Sequence, residues 1–228
     1  PPERPCHPDA HGHGHGSDAA TYHARPGIAT RVRSWTALEG PYHGFLVTHA
    51  ESISIADHLT LRKDGKVVYR PTVHYAYHPC DDAVLSLHEL AGHHWHAQRR
   101  HRLVRDDIET GMDELGVLLG GNSRGAYWLG SRLRIDEARR LAPFNSATSL
   151  QVVAGILGGM AWALQNPDAG VVEPVDLDHR LRLSVGGPLL GEVAGVFGDW
   201  TPLKDRSPLF DEPIDEEDPW QFLNVRVH

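Results

Sequence analysis

The stretch NSATSLQVVAGILGGMAWALQNP constrains the fold more than any other, because a run this apolar must be covered or lie in a membrane. Its apolar part, residues 150–164, is interrupted by Gln151 and falls short of the roughly 20 residues a membrane-spanning helix needs. We expect a buried helix, with polar cap candidates before it and Asn166-Pro167 ending it. Ala154, Gly155, Gly158 and Gly159 let another backbone approach closely. Each glycine costs about 1 kcal/mol of helix propensity against alanine, so tight packing must compensate.

Around this helix the pattern alternates between the two periods. IATRVRSW reads as a strand and GPYHGFLVTHAESISIAD as a second strand after a Gly-Pro turn. LTLRKDGKVVYRPTVHYAY reads as a hairpin closed at Asp64-Gly65, with the preceding strand beside it. Pro79 breaks the strand, and Asp81 or Asp82 can cap a helix over DDAVLSLHEL. DELGVLLGGNSRGAYWLGSRL reads as a second hairpin, and IDEARRLA as a short helix whose charges suit its dipole. A short helix or strand, a Gly-Gly-Pro break and a final apolar segment follow, with DEPIDEEDPW as an acidic surface stretch. The fold class expected is α/β, a mixed sheet with packed helices. The expected boundaries are a flexible His/Gly/Pro-rich lead-in over 1–18, the domain over 19–205 and an acidic tail over 206–228.

With 40% hydrophobic residues a sizeable core is affordable. A net charge of -8 with scattered arginines argues against a nucleic-acid partner and favours a cationic ligand. Two cysteines, Cys6 and Cys80, give no disulfide framework, so the cytoplasm is the expected compartment and neither secretion nor a membrane is indicated. The chain opens with Pro1 rather than Met, and a missing front end is expected. No GxGxxG or GxxxxGK[ST] run supplies a phosphate cradle.

FLVTHAESISIAD raises the chemical question. Read as a strand, it puts Phe45, Val47, Ile53 and Ile55 on one face with His49 and Glu51 between them. Such a spacing sets their bases roughly 6.5 to 7 Å apart, near enough to converge on one ligand. A buried glutamate can neutralise an ammonium group and a neighbouring histidine can move its proton. The alternative is that the two pair with each other, or with arginines, and tie the sheet together. In RPTVHYAYHPCDD, His74 and His78 share a face with Ala76 while Tyr75 and Tyr77 take the other, which lines a pocket or packs on a helix.

Three further clusters draw weaker readings. HGHGHG, HHWHAQRRH and the group His78, Cys80 and Asp81 invite a metal, but none has a convincing ligand spacing, and no metal site is expected. Tyr127 and Trp128 can face a cation or fill the core.

Together FLVTHAESISIAD, YRPTVHYAYHPCDDAVLSLHELAG, DELGVLLGGNSRGAYWLGS, LAPFNSATSLQVVAGILGGMAWALQNP and VFGDWTPL resemble the carboxy-terminal part of the bacterial homospermidine synthases, which are saccharopine-dehydrogenase-like oxidoreductases. The resemblance runs in order through nearly the whole chain. It implies an enzyme that uses NAD to oxidise putrescine to an imine, condense it with a second diamine and reduce the product to homospermidine, releasing ammonia; spermidine is another candidate substrate. It implies a Rossmann domain, absent from this chain, and a carboxy-terminal α/β domain that shapes the substrate pocket and contributes to a homodimer. Catalytic and substrate-binding roles fall on His49 and Glu51, with Tyr75, Tyr77, His74 and His78 as further pocket candidates. NAD would be bound mainly upstream, leaving this chain inactive by itself. The competing readings are a non-catalytic assembly module and a His-rich metal-binding protein.

Overall fold

Strand β1 (Arg31–Thr36) buries Val32 and Ser34 on one face, and a turn carries it into β2 (Gly40–Val47), with which it pairs antiparallel from Arg31↔Phe45 to Thr36↔Gly40. The computed structural model to which they belong describes residues 29–47, 49–101, 103–207 and 211–227. These divide into two units: one drawn from 1–96, 120–126 and 198–228, the other from 97–119 and 127–197. Cys6 and HGHGHG lie outside the described residues.

In the first unit, β2 runs into helix α1 (Ala50–His58), not onward as a strand. A hairpin of β3 (Leu61–Lys63) and β4 (Lys66–Tyr69) follows, then β5 (Tyr75–Tyr77) and helix α2 (Asp81–Gly92). Asp64 and Gly65 both have positive φ, 51° and 76°, as the expected two-residue turn requires. The hairpin is nevertheless a separate two-stranded sheet, and the neighbour of β2 is β5. Arg70-Pro71 ends β4 because proline cannot donate to a ladder. Cys80 occupies the N-cap of α2 without a side-chain bond, while Asp81 and Asp82 sit in the first turn and favour the dipole.

The acidic segment lies at the surface, with Asp211, Glu216 and Glu217 exposed, yet it is tied back to the sheet. Its chain returns through α6 (Phe222–Val225) to β9 (Arg226–Val227), which pairs with β1 and completes the sheet order β5-β2-β1-β9. Asn224 is fully buried and donates to the carbonyls of Asp215 (2.7 Å) and Asp218 (3.0 Å), while its Oδ1 accepts from the Asp215 amide at 2.8 Å. Arg206 donates to the Asn224 carbonyl at 2.7 Å and pairs with Glu212. Arg33 donates to the carbonyls of Pro202 (2.6 Å) and Lys204 (2.9 Å). Paired this way, buried polar groups recover the hydration they lose.

The second unit is organised on β6 (Met112–Asn122), β7 (Gly125–Arg134) and β8 (Glu192–Gly198), a three-stranded sheet in that order. Helix α3 (Ile135–Leu141) leads to α4 (Ala147–Gln165), and α5 (His179–Gly186) follows. Ser146 caps α4 by accepting from the Ser149 amide at 3.1 Å. One face of α4 is buried through Ala147, Leu150, Gln151, Ala154 and Gly158. Leu133, Ala138, Ala147 and Leu150 form the core beneath it. Gly186 has no room for a side chain, since a Cβ there would lie 2.6 Å from the Ala154 carbonyl, and Gly158 receives Arg182 in the same way at 3.1 Å. Of the small residues expected to admit a close approach, Ala154 and Gly158 receive α5, whereas Gly155 and Gly159 face open space.

The other face of α4 departs from the buried helix expected. Val152, Ile156, Met160 and Leu164, four residues apart, are 53%, 54%, 58% and 83% exposed. Among the described residues α4 is the one helix long and apolar enough, by length and composition, to cross a membrane.

Candidate functional site

All six candidate residues fall in the first unit, around the end of β2 and the edge strand β5. The β2–β5 ladder pairs Phe45↔Tyr77, Leu46↔Ala76 and Val47↔Tyr75. Residues directly opposite share a face, so Tyr75 and Tyr77 stand with Phe45 and Val47. Beyond Val47 the chain leaves the sheet. His49 takes the N-cap position of α1 in an extended conformation, and Glu51 lies in its first turn.

The expected strand from Phe45 to Asp57 therefore ends eight residues in from Gly40, at Val47. Ile53, Ser54 and Ile55 alternate as a strand would, but a short apolar run also satisfies a helical period. Two local features favour the helix: the Ser52 amide donates to the His49 carbonyl at 3.0 Å, and an acidic residue sits in the first turn, where the dipole favours it. Burial is corrected as well. The side chains of His49 and Glu51 are 44% and 53% exposed, so no large desolvation cost attaches to them in this chain.

The two residues nevertheless meet, by a different route. A helix start folds them onto each other, and Nδ1 of His49 pairs with Oε2 of Glu51. The Glu51 carboxyl is held below the ordinary carboxylate range, first by the hydrogen bond from its own backbone amide and then by the one from His49. The imidazole also stacks on Tyr75, with centroids 4.8 Å apart and planes 15° from parallel. His49, Glu51 and Tyr75 thus make one cluster.

The remaining candidates lie apart from it. On the opposite face of the sheet His78 meets Tyr42 at 5.3 Å between centroids, and His74 meets the Phe222 ring edge-on at 5.2 Å. Loss of hydration pushes the His74 pKa down to about 4, so this imidazole is neutral at pH 7 and structural in character. Tyr77 is exposed, on the same face of the sheet as Tyr75. The alternation of β2 could have found Tyr42, since Tyr42, Gly44 and Leu46 share a face with Ala76. Phe222, far along the chain, left no local signal.

For a metal, the described residues contain no group of three or more His, Cys, Asp or Glu able to hold one. His93 to His101 are exposed after the end of α2. Trp128 is core, with Arg132 over its ring at 5.3 Å, and Tyr127 packs against Phe197 at 4.5 Å. The described chain also does not fit a dinucleotide. The passages from β2 to α1, β5 to α2 and β7 to α3 contain no glycine, and the four-stranded sheet is antiparallel throughout, so the close backbone approach that a pyrophosphate needs is missing.

The first unit thus carries an antiparallel sheet with an acid–histidine pair at its edge. Residues 8–199 match the saccharopine dehydrogenase C-terminal domain, and the chain belongs to that family. Among curated proteins it is similar to the homospermidine synthase of Blastochloris viridis, at 56% identity over 96% of this chain and 46% of that protein. The homospermidine synthase of Mesorhizobium japonicum is 53% identical over 94% of this chain and 45% of that one. Among solved structures, the homospermidine synthase of Legionella pneumophila in complex with NAD superposes with a TM-score of 0.91 at 53% identity, covering 96% of this chain and 48% of that one. The chain spans about half the length of the curated relatives it matches.

Proposed function

We propose that this chain is the substrate-binding and dimerisation part of an NAD-dependent homospermidine synthase, acting on putrescine, with spermidine as a second candidate substrate. The observation that carries the reading is identity of 53–56% spread over 94–96% of the chain. The antiparallel sheet and glycine-free passages support placing NAD on a part of the enzyme outside this chain, which would leave the chain inactive alone. Redox chemistry then belongs to that cofactor, and this chain's residues handle the amine.

Glu51 anchors a protonated amine through its carboxylate, whose ionisation is favoured by the first-turn amide. His49 orients that amine or relays its proton, since an imidazole exchanges protons near neutral pH. Exposure of both in this chain fits a site whose remaining wall comes from another part of the enzyme. The cytoplasm is the proposed compartment, consistent with the unpaired Cys80. The open stripe of α4 supports a homodimer, and equally keeps alive a role confined to assembly.

Steady-state kinetics of the complete enzyme tests the assignment. Glu51→Gln is expected to raise KM for putrescine by about tenfold or more, and His49→Ala to lower kcat by about a hundredfold, the scale of a lost proton-transfer group. Unchanged kinetics in both variants would remove the pair from the site.

A further inference from the structure

We propose that Tyr75 is a positioning residue for His49: its ring holds the imidazole plane so that Nδ1 stays on Glu51 and Nε2 is the nitrogen presented to substrate. The inference rests on the reading of His49 and Glu51 as the amine-handling pair, and adds which nitrogen works and what aims it.

The need for such a residue follows from where His49 stands. It lies between two elements, in neither ladder nor helix, and its side chain makes no capping bond. With 44% of that side chain exposed, packing alone does not select a rotamer. The hydrogen bond to Glu51 anchors one nitrogen but leaves the ring free to swing about that contact. A face-to-face stack supplies the missing restraint, because a ring 4.8 Å away and 15° from parallel resists both tilt and rotation. Tyr75 can serve because it is itself fixed: it pairs with Val47, two residues before His49, at the last rung of the β2–β5 ladder.

The same geometry settles the tautomer. An ionised carboxylate only accepts, so the proton between His49 and Glu51 rides on Nδ1. In the neutral imidazole Nε2 then carries a lone pair. It can take a proton from a substrate ammonium, giving an imidazolium whose positive charge Glu51 faces, and return that proton later. No other group need change its protonation.

Two readouts test this. In the complete enzyme Tyr75→Leu is expected to lower kcat about tenfold with KM within about twofold, whereas Tyr75→Phe, which keeps the ring, recovers most of that loss in kcat. In this chain, long-range 1H–15N spectra are expected to show a bare Nε2 on His49 in wild type and Tyr75→Phe, and mixed tautomers in Tyr75→Leu. Tyr75→Val preserves strand propensity and provides a second test should the leucine variant fold poorly. If either readout is unchanged in the ring-lacking variants, the positioning role is overturned. His49→Ala with full activity would instead topple the amine-handling pair, while an inactive His49→Ala beside an unimpaired Tyr75→Leu topples the role of Tyr75 alone.

Discussion

The four-stranded sheet of the first unit, though it too buries Val32 and Phe45, leans on polar joints, whereas the helical layer of the second is held mainly by apolar packing. Around β1 and β9 the packing is tied by Arg33, Arg206 and Asn224, whose donors all end on backbone carbonyls, those of Arg33 far along the chain. Beneath α4 the contacts are Leu133, Leu150 and alanines, with Gln151 donating to Ser131 at 2.9 Å as the buried polar link. The polar arrangement fixes one geometry, because each unpaired buried donor would cost a lost hydrogen bond. An apolar face is less particular about its partner, and α4 accordingly carries a second apolar stripe that is open in this chain. The sheet unit thus holds a defined cluster at its edge, and the helical unit offers surface.

The comparison breaks first at the apolar core. Leu133 is fully buried against Ala138, Ala147 and Leu150. Leu133→Ala is expected to cost about 3 to 4 kcal/mol, the removed side chain plus the cavity left behind. Denaturant unfolding gives the total, and hydrogen exchange should place the loss in α3, α4 and β7. Equal loss of protection in β1 and β2 would show that the two units do not differ in this way.

Acid probes the polar side. His74 has a pKa near 4 in the fold, below the ordinary value of 6.5, so it stays neutral there while the unfolded chain gains a proton as pH falls from 6.5. Its contribution is fully present above pH 6.5 and lost as pH drops toward 4, amounting to about 2 kcal/mol after allowance for its partial exposure. Unfolding of wild type and His74→Phe at pH 7 and pH 4.5 measures it, and the variant should lose less. Parallel losses would assign the acid sensitivity to the carboxylate joints instead.

These contrasts also explain what the sequence could and could not tell. The Asp64-Gly65 turn, the β6–β7 hairpin, α3 and the Ser146 cap of α4 are local signals, and the structure keeps them. The end of β2 was misread because Ile53-Ser54-Ile55 satisfies both periods, and the choice was made by helix-start contacts over a few residues. His49 and Glu51 still meet, since a spacing of two suits an N-cap and first turn as well as a strand. The acidic segment was legible as surface, with Asp211, Glu216 and Glu217 exposed, but not in its anchoring: the Glu212 carboxylate pairs with Arg206 and the Asp215 backbone bonds to Asn224, contacts that no local pattern encodes. The stacking of Tyr75 on His49 likewise depended on the β2–β5 register.

The smallest effect on folding should fall on the open stripe, and there it separates stability from assembly. Ile156 and Met160 are more than half exposed, so Ile156→Gln with Met160→Gln removes little that folding buries. A change within about 0.5 kcal/mol in unfolding is expected, as for most surface substitutions. Association should respond quite differently, because two glutamines replace apolar area at the centre of a face that a second copy would cover. Sedimentation is expected to show a dimer for wild type and a monomer for the double variant, at equal thermal stability when both are diluted to monomer. Monomeric wild type, or a dimer indifferent to the substitutions, would leave the stripe to the rest of the enzyme and restrict dimerisation to other surfaces. Since Gly155 and Gly159 lie on the same side with no atom near their Cβ positions, Gly155→Ala provides an internal control: it should raise folding stability by about 1 kcal/mol, yet weaken a dimer in which helices approach as closely as Gly186 of α5 approaches Ala154.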